Sequence, residues 1–266
     1  MSGAVIDKVD QRRPNLRVPF PDKMKQRLEG RGVIRLYRRA KYIIIELDDG
    51  QNLVIHLGMS GRILIARKTE DYEIKKHDHL ILTLKDGARI IYNDPRRFGM
   101  IFMVEADEAL EKHPRFKDLG PEPLGNEFSA PILMERLKGK KYSIKQALLD
   151  QRVVAGVGNI YACEALFQSG LHPETEAGKI KGVRAEKLTH AIKDVLTRAI
   201  KAGGSTLKDY RDVNDELGYF QHSFKVYDQE KRACDGCDCD IDKTLGVKRI
   251  VQSGRSTFYC PQKQKK

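Results

Sequence analysis

The stretch YIIIELDDGQNLVIHLGMSGRILIA, residues 42–66, decides the architecture of the amino-terminal half of this chain. Three runs of five or six residues, rich in Ile, Leu and Val, are separated by segments that contain Asp or Gly. Aliphatic runs of this length between turn-forming residues are typical of β-strands. The pattern continues to residue 104 in HLILTL, RIIY and MIFMV, and Asp86-Gly87 supplies a tight-turn dipeptide between two runs. The sequence predicts an antiparallel β-sandwich or barrel.

Beyond LGPEPLG, which contains Pro121 and Pro123, the apolar residues follow a helical period. Leu188, Ile192 and Val195 share one helical face, and the pair Gly203-Gly204 is expected to end that helix. We therefore predict an α+β chain, with a β-sandwich followed by helices and a final β-hairpin. Its expected segments are a sandwich domain 1–118, a linker 119–127, a helical domain 128–223 and a hairpin 224–266.

The charge balance points to a polyanionic partner. The 266 residues include 49 Lys and Arg against 37 Asp and Glu, a net charge of +12 and a pI near 9.4. An excess of this size favours nucleic acid, although many basic proteins bind none. The sequence contains neither an apolar run long enough to cross a membrane nor a recognisable export signal. We expect a cytoplasmic protein associated with the nucleoid.

Four of the five cysteines lie in the last 33 residues of the chain, which favours metal binding over disulfides. Cys234-Asp-Gly-Cys237, followed by Phe-Tyr-Cys260, has the form of a zinc-finger-type hairpin. Such hairpins hold Zn²⁺ with two pairs of thiolates. The second pair is incomplete, because Lys263 stands where the fourth ligand is expected.

Three arrangements of this hairpin stay open on the sequence alone. Cys239 could supply the fourth thiolate, although three ligands on one knuckle would strain it. A three-thiolate site with a water ligand is the second. In the third, no metal is bound and the hairpin is held by packing of Ile250, Phe258 and Tyr259.

A Gly-Val-Gly turn at residues 156–158 joins two predicted helices. Asn159 follows it in the position of a helix cap, and open amides at a helix start can hold a phosphate. Most Gly-Val-Gly segments are ordinary helix connections. The nearby Lys140, Lys141 and Lys145 favour the anion site here.

Met59, Arg96 and Phe98 fall between predicted strands, in HLGMSGR and NDPRRFG. An exposed Met and Phe beside arginines would suit side chains that enter a base stack and replace an extruded nucleotide. The simpler alternative is that Met59 and Phe98 close the sandwich core.

Three further basic residues are ambiguous. His77 and His79 alternate in KKHDHL, which could be half of a metal site or an edge facing solvent or phosphate. Lys41 enters the apolar run YIIIEL, where burial would suit proton transfer or amine chemistry, although most such lysines extend to solvent.

Taken in order, RRAKY, HLGMSG, KHDH, DPRRFG, LGPEPL, VVAGVGNIYACE, GGSTLKDY and RSTFYC resemble the motifs of bacterial formamidopyrimidine-DNA glycosylases across nearly the whole chain. The resemblance implies a β-sandwich, a helix-two-turns-helix domain and a zinc hairpin. It also implies a monomer that binds double-stranded DNA containing oxidised bases, excises 8-oxoguanine and formamidopyrimidines, and nicks the strand by β,δ-elimination.

Residue roles follow from the same resemblance. It assigns Met59, Arg96 and Phe98 to the triad that fills the void left by the extruded base, with Arg96 facing the orphaned cytosine. Lys41 is implied to assist elimination, and Arg255 to assist the final phosphate elimination and clamp DNA. One structural Zn²⁺ is implied at the cysteines, and residues 212–222 match the loop over the extruded purine. The other implied DNA contacts are His77, Lys141, Asn159 and Tyr227.

The family's mature amino terminus, Pro-Glu-Leu-Pro-Glu, carries the amine that attacks C1′, and Met1 aligns about one helix beyond it. Two hypotheses follow. Met1 is an internal methionine of a longer reading frame, or the chain is a truncated, catalytically inactive protein that binds damaged DNA. We expect no borohydride-trapped adduct from the chain as given, and an in-frame Pro-Glu-Leu-Pro-Glu upstream would support the first hypothesis.

Overall fold

The computed structural model describes residues 1–205, 218–234 and 239–266. The chain divides into two compact units. The first comprises Met1–Lys117 with Ser205–Gly218, and the second comprises Asp118–Gly204 with Tyr219–Lys266. Strands dominate the first unit and helices the second, so the expected α+β class is confirmed.

The first unit is a sandwich of two four-stranded antiparallel sheets, in the orders β1-β6-β7-β5 and β2-β3-β4-β8. Apolar side chains of both sheets, including Ile6, Leu53 and Leu82, form one buried cluster between the layers. Its elements are β1 (Ile6–Gln11), α1 (Met24–Leu28), β2 (Val33–Arg39), β3 (Tyr42–Leu47), β4 (Asn52–His56), β5 (Arg62–Ala66), β6 (Asp78–Leu84), β7 (Arg89–Asn93) and β8 (Met100–Val104).

Strand β1 shows no clear apolar alternation in the sequence. It reads IDKVDQ, and only Ile6 and Val9 are buried. As an edge strand it needs few core contacts, and it pairs with β6 from Ile6 opposite Leu84 to Gln11 opposite Leu80. Long-range pairing therefore determines this strand where local pattern does not.

The second unit packs α2 (Ala130–Leu137), α3 (Ile144–Leu149), α4 (Asn159–Ser169) and α5 (Val183–Lys201) around one buried cluster. Leu188, Ile192 and Val195 of α5 belong to that cluster, as their spacing predicts. Gly203 and Gly204, with φ of 70° and 89°, follow the helix in the left-handed conformation that favours glycine.

A short helix, α6 (Ile241–Thr244), precedes the hairpin of β9 (Lys248–Gln252) and β10 (Arg255–Tyr259). Ser253 and Gly254 both have positive φ, 49° and 72°, which is the backbone of a two-residue type I′ turn. Arg255 is therefore the first residue after the turn and pairs with Gln252. Among the described residues, no helix is both long and apolar enough to cross a lipid bilayer.

Candidate nucleic-acid interface

Met59 and Phe98 lie outside the sandwich core. Their exposed fractions are 65% and 44%, which excludes the alternative that they close the core. Met59 lies in the turn between β4 and β5, and Phe98 in the turn between β7 and β8. The Arg96 guanidinium lies 4.8 Å from the centre of the Phe98 ring, within range of a cation–π contact.

The two turns are closely packed against one another. A Cβ added to Gly58 would lie 2.5 Å from the Phe98 carbonyl carbon, and one added to Gly99 would overlap the Tyr92 hydroxyl. Gly58 also has a φ of 67°. Only glycine allows this approach, so the turns present their exposed side chains on one continuous surface.

His56, at the end of β4, was not singled out from the sequence. Its Nδ1 accepts a hydrogen bond from the Gly58 amide at 3.0 Å. Burial lowers the pKa of His56, and the positive charges of Lys41, Arg17 and Arg115 lower it further. The three cations near His56 form a basic cluster that can attract phosphate. Lys41 itself is exposed, in the turn between β2 and β3, so burial does not govern its chemistry.

His77 and His79 do not form a metal site with any third ligand in the described part of the chain. His79 is buried, and its Nε2 lies 2.9 Å from the Asp94 carbonyl oxygen. This corrects the hypothesis of a solvated edge for His79. His77 is half-buried and remains at the surface beside it.

In the second unit, Asn159 is the first residue of α4 rather than its cap. Gly158 occupies the cap position, which corrects the sequence expectation. The Asn159 Nδ2 donates to the Ser256 carbonyl at 2.9 Å and lies 3.4 Å from the Tyr227 hydroxyl. Its Oδ1 is buried without a hydrogen-bond partner.

Lys145 is fully buried, unlike its exposed neighbour Lys141. Its Nζ donates to Thr257 Oγ1 at 2.6 Å and to the Ser256 carbonyl at 3.2 Å. Lys145 therefore adds no exposed positive charge beside the Gly-Val-Gly turn. Burial lowers its pKa, and the nearby charge of Arg255 lowers it further.

Tyr227 is oriented by a buried carboxylate. Glu164 on α4 accepts hydrogen bonds from the amides of Lys225, Val226 and Tyr227 at 2.9 to 3.0 Å. Burial raises the pKa of the Tyr227 phenol, and the hydrogen bond that its oxygen accepts from Asn159 Nδ2 opposes that rise. Residues 212–217 of the expected purine-covering loop lie outside the described residues.

Three cysteines converge beside the hairpin. The Sγ atoms of Cys234, Cys239 and Cys260 all lie within 4.8 Å of one another. Cys239 is 3.2 Å from Cys234 and 3.0 Å from Cys260, measured between sulfurs. Thiolates on a tetrahedral zinc lie about 3.8 Å apart, so the group could bind a metal ion. Cys237 lies outside the described residues.

The Lys263 side chain points to an aromatic ring and does not replace the expected fourth zinc ligand. Its ammonium lies 4.2 Å from the centre of the Phe167 ring, while its backbone amide donates to Cys260 Sγ at 3.3 Å. An amide hydrogen bond to sulfur stabilises a thiolate, as is common around bound metals.

Comparison with known proteins matches both units to one family. The model of the formamidopyrimidine-DNA glycosylase N-terminal domain matches residues 1–101, and that of the H2TH domain of the same glycosylases matches residues 119–211. The chain belongs to the formamidopyrimidine-DNA glycosylase family.

Bacterial relatives agree with this assignment. The formamidopyrimidine-DNA glycosylase of Dinoroseobacter shibae is 51% identical over 273 aligned residues, covering 100% of this chain and 94% of that protein. The Rhodospirillum rubrum enzyme of the same name is 48% identical, covering 99% of this chain and 93% of its own length. The chain is accordingly a base-excision DNA glycosylase, and the alternative of an inactive binding protein is not favoured.

Solved structures show the same fold. The MutM (Fpg) protein of Thermus thermophilus superposes with a TM-score of 0.84 at 36% identity, covering 99% of this chain and 92% of that one. A Lactococcus lactis Fpg in complex with DNA containing an abasic site gives 0.87 at 32% identity, covering 100% and 94%.

Proposed function

We propose that this glycosylase excises oxidised purines, 8-oxoguanine and formamidopyrimidines, from double-stranded DNA and then nicks the strand by β,δ-elimination. The exposure of Met59 and Phe98 beside Arg96 is the observation that carries the proposal. Single exposed apolar side chains are common, but two on adjacent turns beside an arginine form a patch of the kind that marks an interaction site.

Extruding a nucleotide from a duplex costs a few kcal/mol in lost stacking and pairing. Met59 and Phe98 would offset this cost by entering the stack in place of the extruded base. Arg96 carries guanidinium donors that would pair with the cytosine left behind. The three side chains together would hold the duplex open while the damaged base is outside it.

Phosphate binding is assigned to basic and polar side chains on each unit. In the first unit, Lys41 and His77 would contact the DNA backbone, and the charges of Lys41, Arg17 and Arg115 act on His56. In the second, Lys141 and Arg255 are exposed, and Asn159 and Tyr227 offer donors beside the hairpin. A net charge of +12 supports salt-dependent binding to DNA.

Excision needs an amine that attacks C1′ and forms an imine, which the resemblance assigns to the family's amino-terminal proline. Lys41 would then assist proton removal during β-elimination, and Arg255 would stabilise the departing phosphate in δ-elimination. Arg255 suits this role because the two-residue turn and the hydrogen bonds to Ser256 and Thr257 hold its strand.

One structural Zn²⁺ would be held by Cys234, Cys239 and Cys260, with Cys237 as the fourth thiolate. Bound there, the ion would cross-link the start of the hairpin segment to its last strand. No catalytic step requires it. Because the proposed substrate is chromosomal DNA, we expect a cytoplasmic, nucleoid-associated monomer.

Borohydride trapping tests the proposal. Protein expressed from its own gene is incubated with a duplex containing 8-oxoguanine opposite cytosine, and an undamaged duplex is the control. A covalent adduct and a nick on the damaged duplex alone are expected, because only an imine is trapped by reduction. Tight lesion binding with neither adduct nor nick would instead indicate the non-catalytic protein.

A further inference from the structure

Asp94, the residue directly after β7, is completely buried and connects the two turns that carry the exposed side chains. Its Oδ1 accepts a hydrogen bond from the Ser60 hydroxyl at 2.5 Å. Its Oδ2 accepts from the Gly99 amide at 2.9 Å and from the Tyr92 hydroxyl at 3.2 Å. One carboxylate therefore joins residues on both turns and a core tyrosine.

The main chain of Asp94 is held as firmly as its side chain. Its amide donates to the His77 carbonyl at 3.0 Å, and its own carbonyl accepts from the Arg97 amide at 3.3 Å. The same carbonyl lies 2.9 Å from Nε2 of the buried His79. The main chain of Asp94 thus forms hydrogen bonds both to the region of β6 and to the turn after β7.

Ser60 links the turns a second time. While its hydroxyl donates to Asp94, its oxygen accepts the Arg96 amide at 3.2 Å. The residue beside Met59 is therefore in direct contact with the backbone of Arg96. Met59 and Arg96 cannot move independently unless these bonds break.

We propose that Asp94 is a positioning residue that makes the two turns one rigid body, so that Met59, Arg96 and Phe98 enter damaged DNA together. The inference rests on the proposed function. Its physical basis is that a loose side chain must lose its freedom on entering the stack, whereas a fixed one has already lost it.

Asp94→Asn tests the inference. An amide has one acceptor oxygen and one donor group, so the NH₂ must face either the Ser60 hydroxyl or the Gly99 amide. Asp78→Asn is the matched control. Asp78 is also a buried carboxylate on this sheet, bound to the Lys75 amide, the Tyr72 hydroxyl and Asn93 Nδ2, but not to either turn.

Binding is measured on duplexes with a tetrahydrofuran abasic analogue opposite a fluorescent cytosine analogue, and on undamaged duplexes. We expect Asp94→Asn to reduce the preference for the lesion about tenfold and to weaken the fluorescence change at saturating protein. Asp78→Asn should leave both quantities as in the unmodified protein, even if its melting temperature falls.

Ser60→Ala provides a second route if Asp94→Asn does not fold, since it removes the link between the turns and leaves the carboxylate. Ser60→Thr keeps the hydroxyl and should restore the fluorescence change. Equal behaviour of the Asp94 and Asp78 variants, or no effect of Ser60→Ala, would overturn the inference. If the unmodified protein shows no lesion preference, the proposed function itself fails.

Discussion

The Lys145 ammonium on α3 lies 2.6 Å from the Thr257 hydroxyl on β10, and both side chains are fully buried. A helix and the hairpin strand that carries Arg255 are thus joined through a single charge. The hydrogen bond spans 112 residues of sequence. It makes the position of the hairpin depend on the helical core.

Replacing Lys145 with Met should loosen the hairpin. The Thr257 hydroxyl would lose its partner, at a cost of about 1–3 kcal/mol, while relief of the buried charge would offset part of that cost. Relative to the unmodified protein, we expect amide hydrogen exchange to become faster in β9 and β10 and to stay unchanged in α5. Lys187→Met, at an exposed position of α5, is the control, and unchanged exchange in Lys145→Met would contradict the prediction.

Phe98→Ala should impair lesion binding without affecting folding. Stacking of one base on an aromatic ring contributes about 1–3 kcal/mol, so lesion affinity should fall about five- to hundredfold. The free energy of unfolding should change by less than about 1 kcal/mol, because the ring lies at the surface and outside the sandwich core. Ile65→Ala, which removes an exposed apolar side chain from β5, should leave lesion affinity unchanged. An equal loss in both variants would argue against a wedge.

Cys239→Ser should weaken metal binding. If Cys239 is a ligand, its loss should raise the Kd for Zn²⁺ at least about tenfold and change the thiolate-to-metal absorption of the Co²⁺-substituted protein. Cys163→Ser is the control, since that buried thiol lies outside the cysteine group. Identical spectra for Cys239→Ser and the unmodified protein would exclude Cys239 as a ligand.

His56→Asn should make stability less sensitive to acid. The folded-state pKa of His56 lies below its ordinary value of 6.5. Above pH 6.5 neither state holds the proton, so His56 contributes no pH dependence there. As the pH falls below 6.5, the unfolded chain takes up the proton first and stability is lost.

Asparagine cannot take up that proton, yet its oxygen can still accept the Gly58 amide. Urea denaturation at a series of pH values checks this, with the two proteins diverging only on the acid side. Parallel curves throughout would show that His56 does not titrate differently in the two states.

Local pattern was sufficient to predict the central strands and the longest helix, because their apolar residues repeat with a clear period. It failed for β1, whose register depends on β6, and for Asn159, whose side chain bonds to residue 256 rather than to its own helix. Asp94 and Lys145 were also missed in their structural roles. Asp94 bonds to Ser60, 34 residues away in the sequence, and Lys145 bonds to Thr257, 112 residues away. No local motif encodes pairings at such sequence separations.

The network around Asp94 also separates the residues that discriminate damaged from intact DNA from those that set the overall affinity for DNA. The hydrogen-bonded groups holding the Met59 and Phe98 turns are mainly buried and neutral donors, whereas the cations proposed to meet phosphate are mostly exposed. Surface lysines could therefore be gained or lost to suit the salt concentration of a cell while discrimination between damaged and intact DNA stays constant. Affinity for DNA would then depend on surface charge, and recognition of the lesion on the geometry of the buried network.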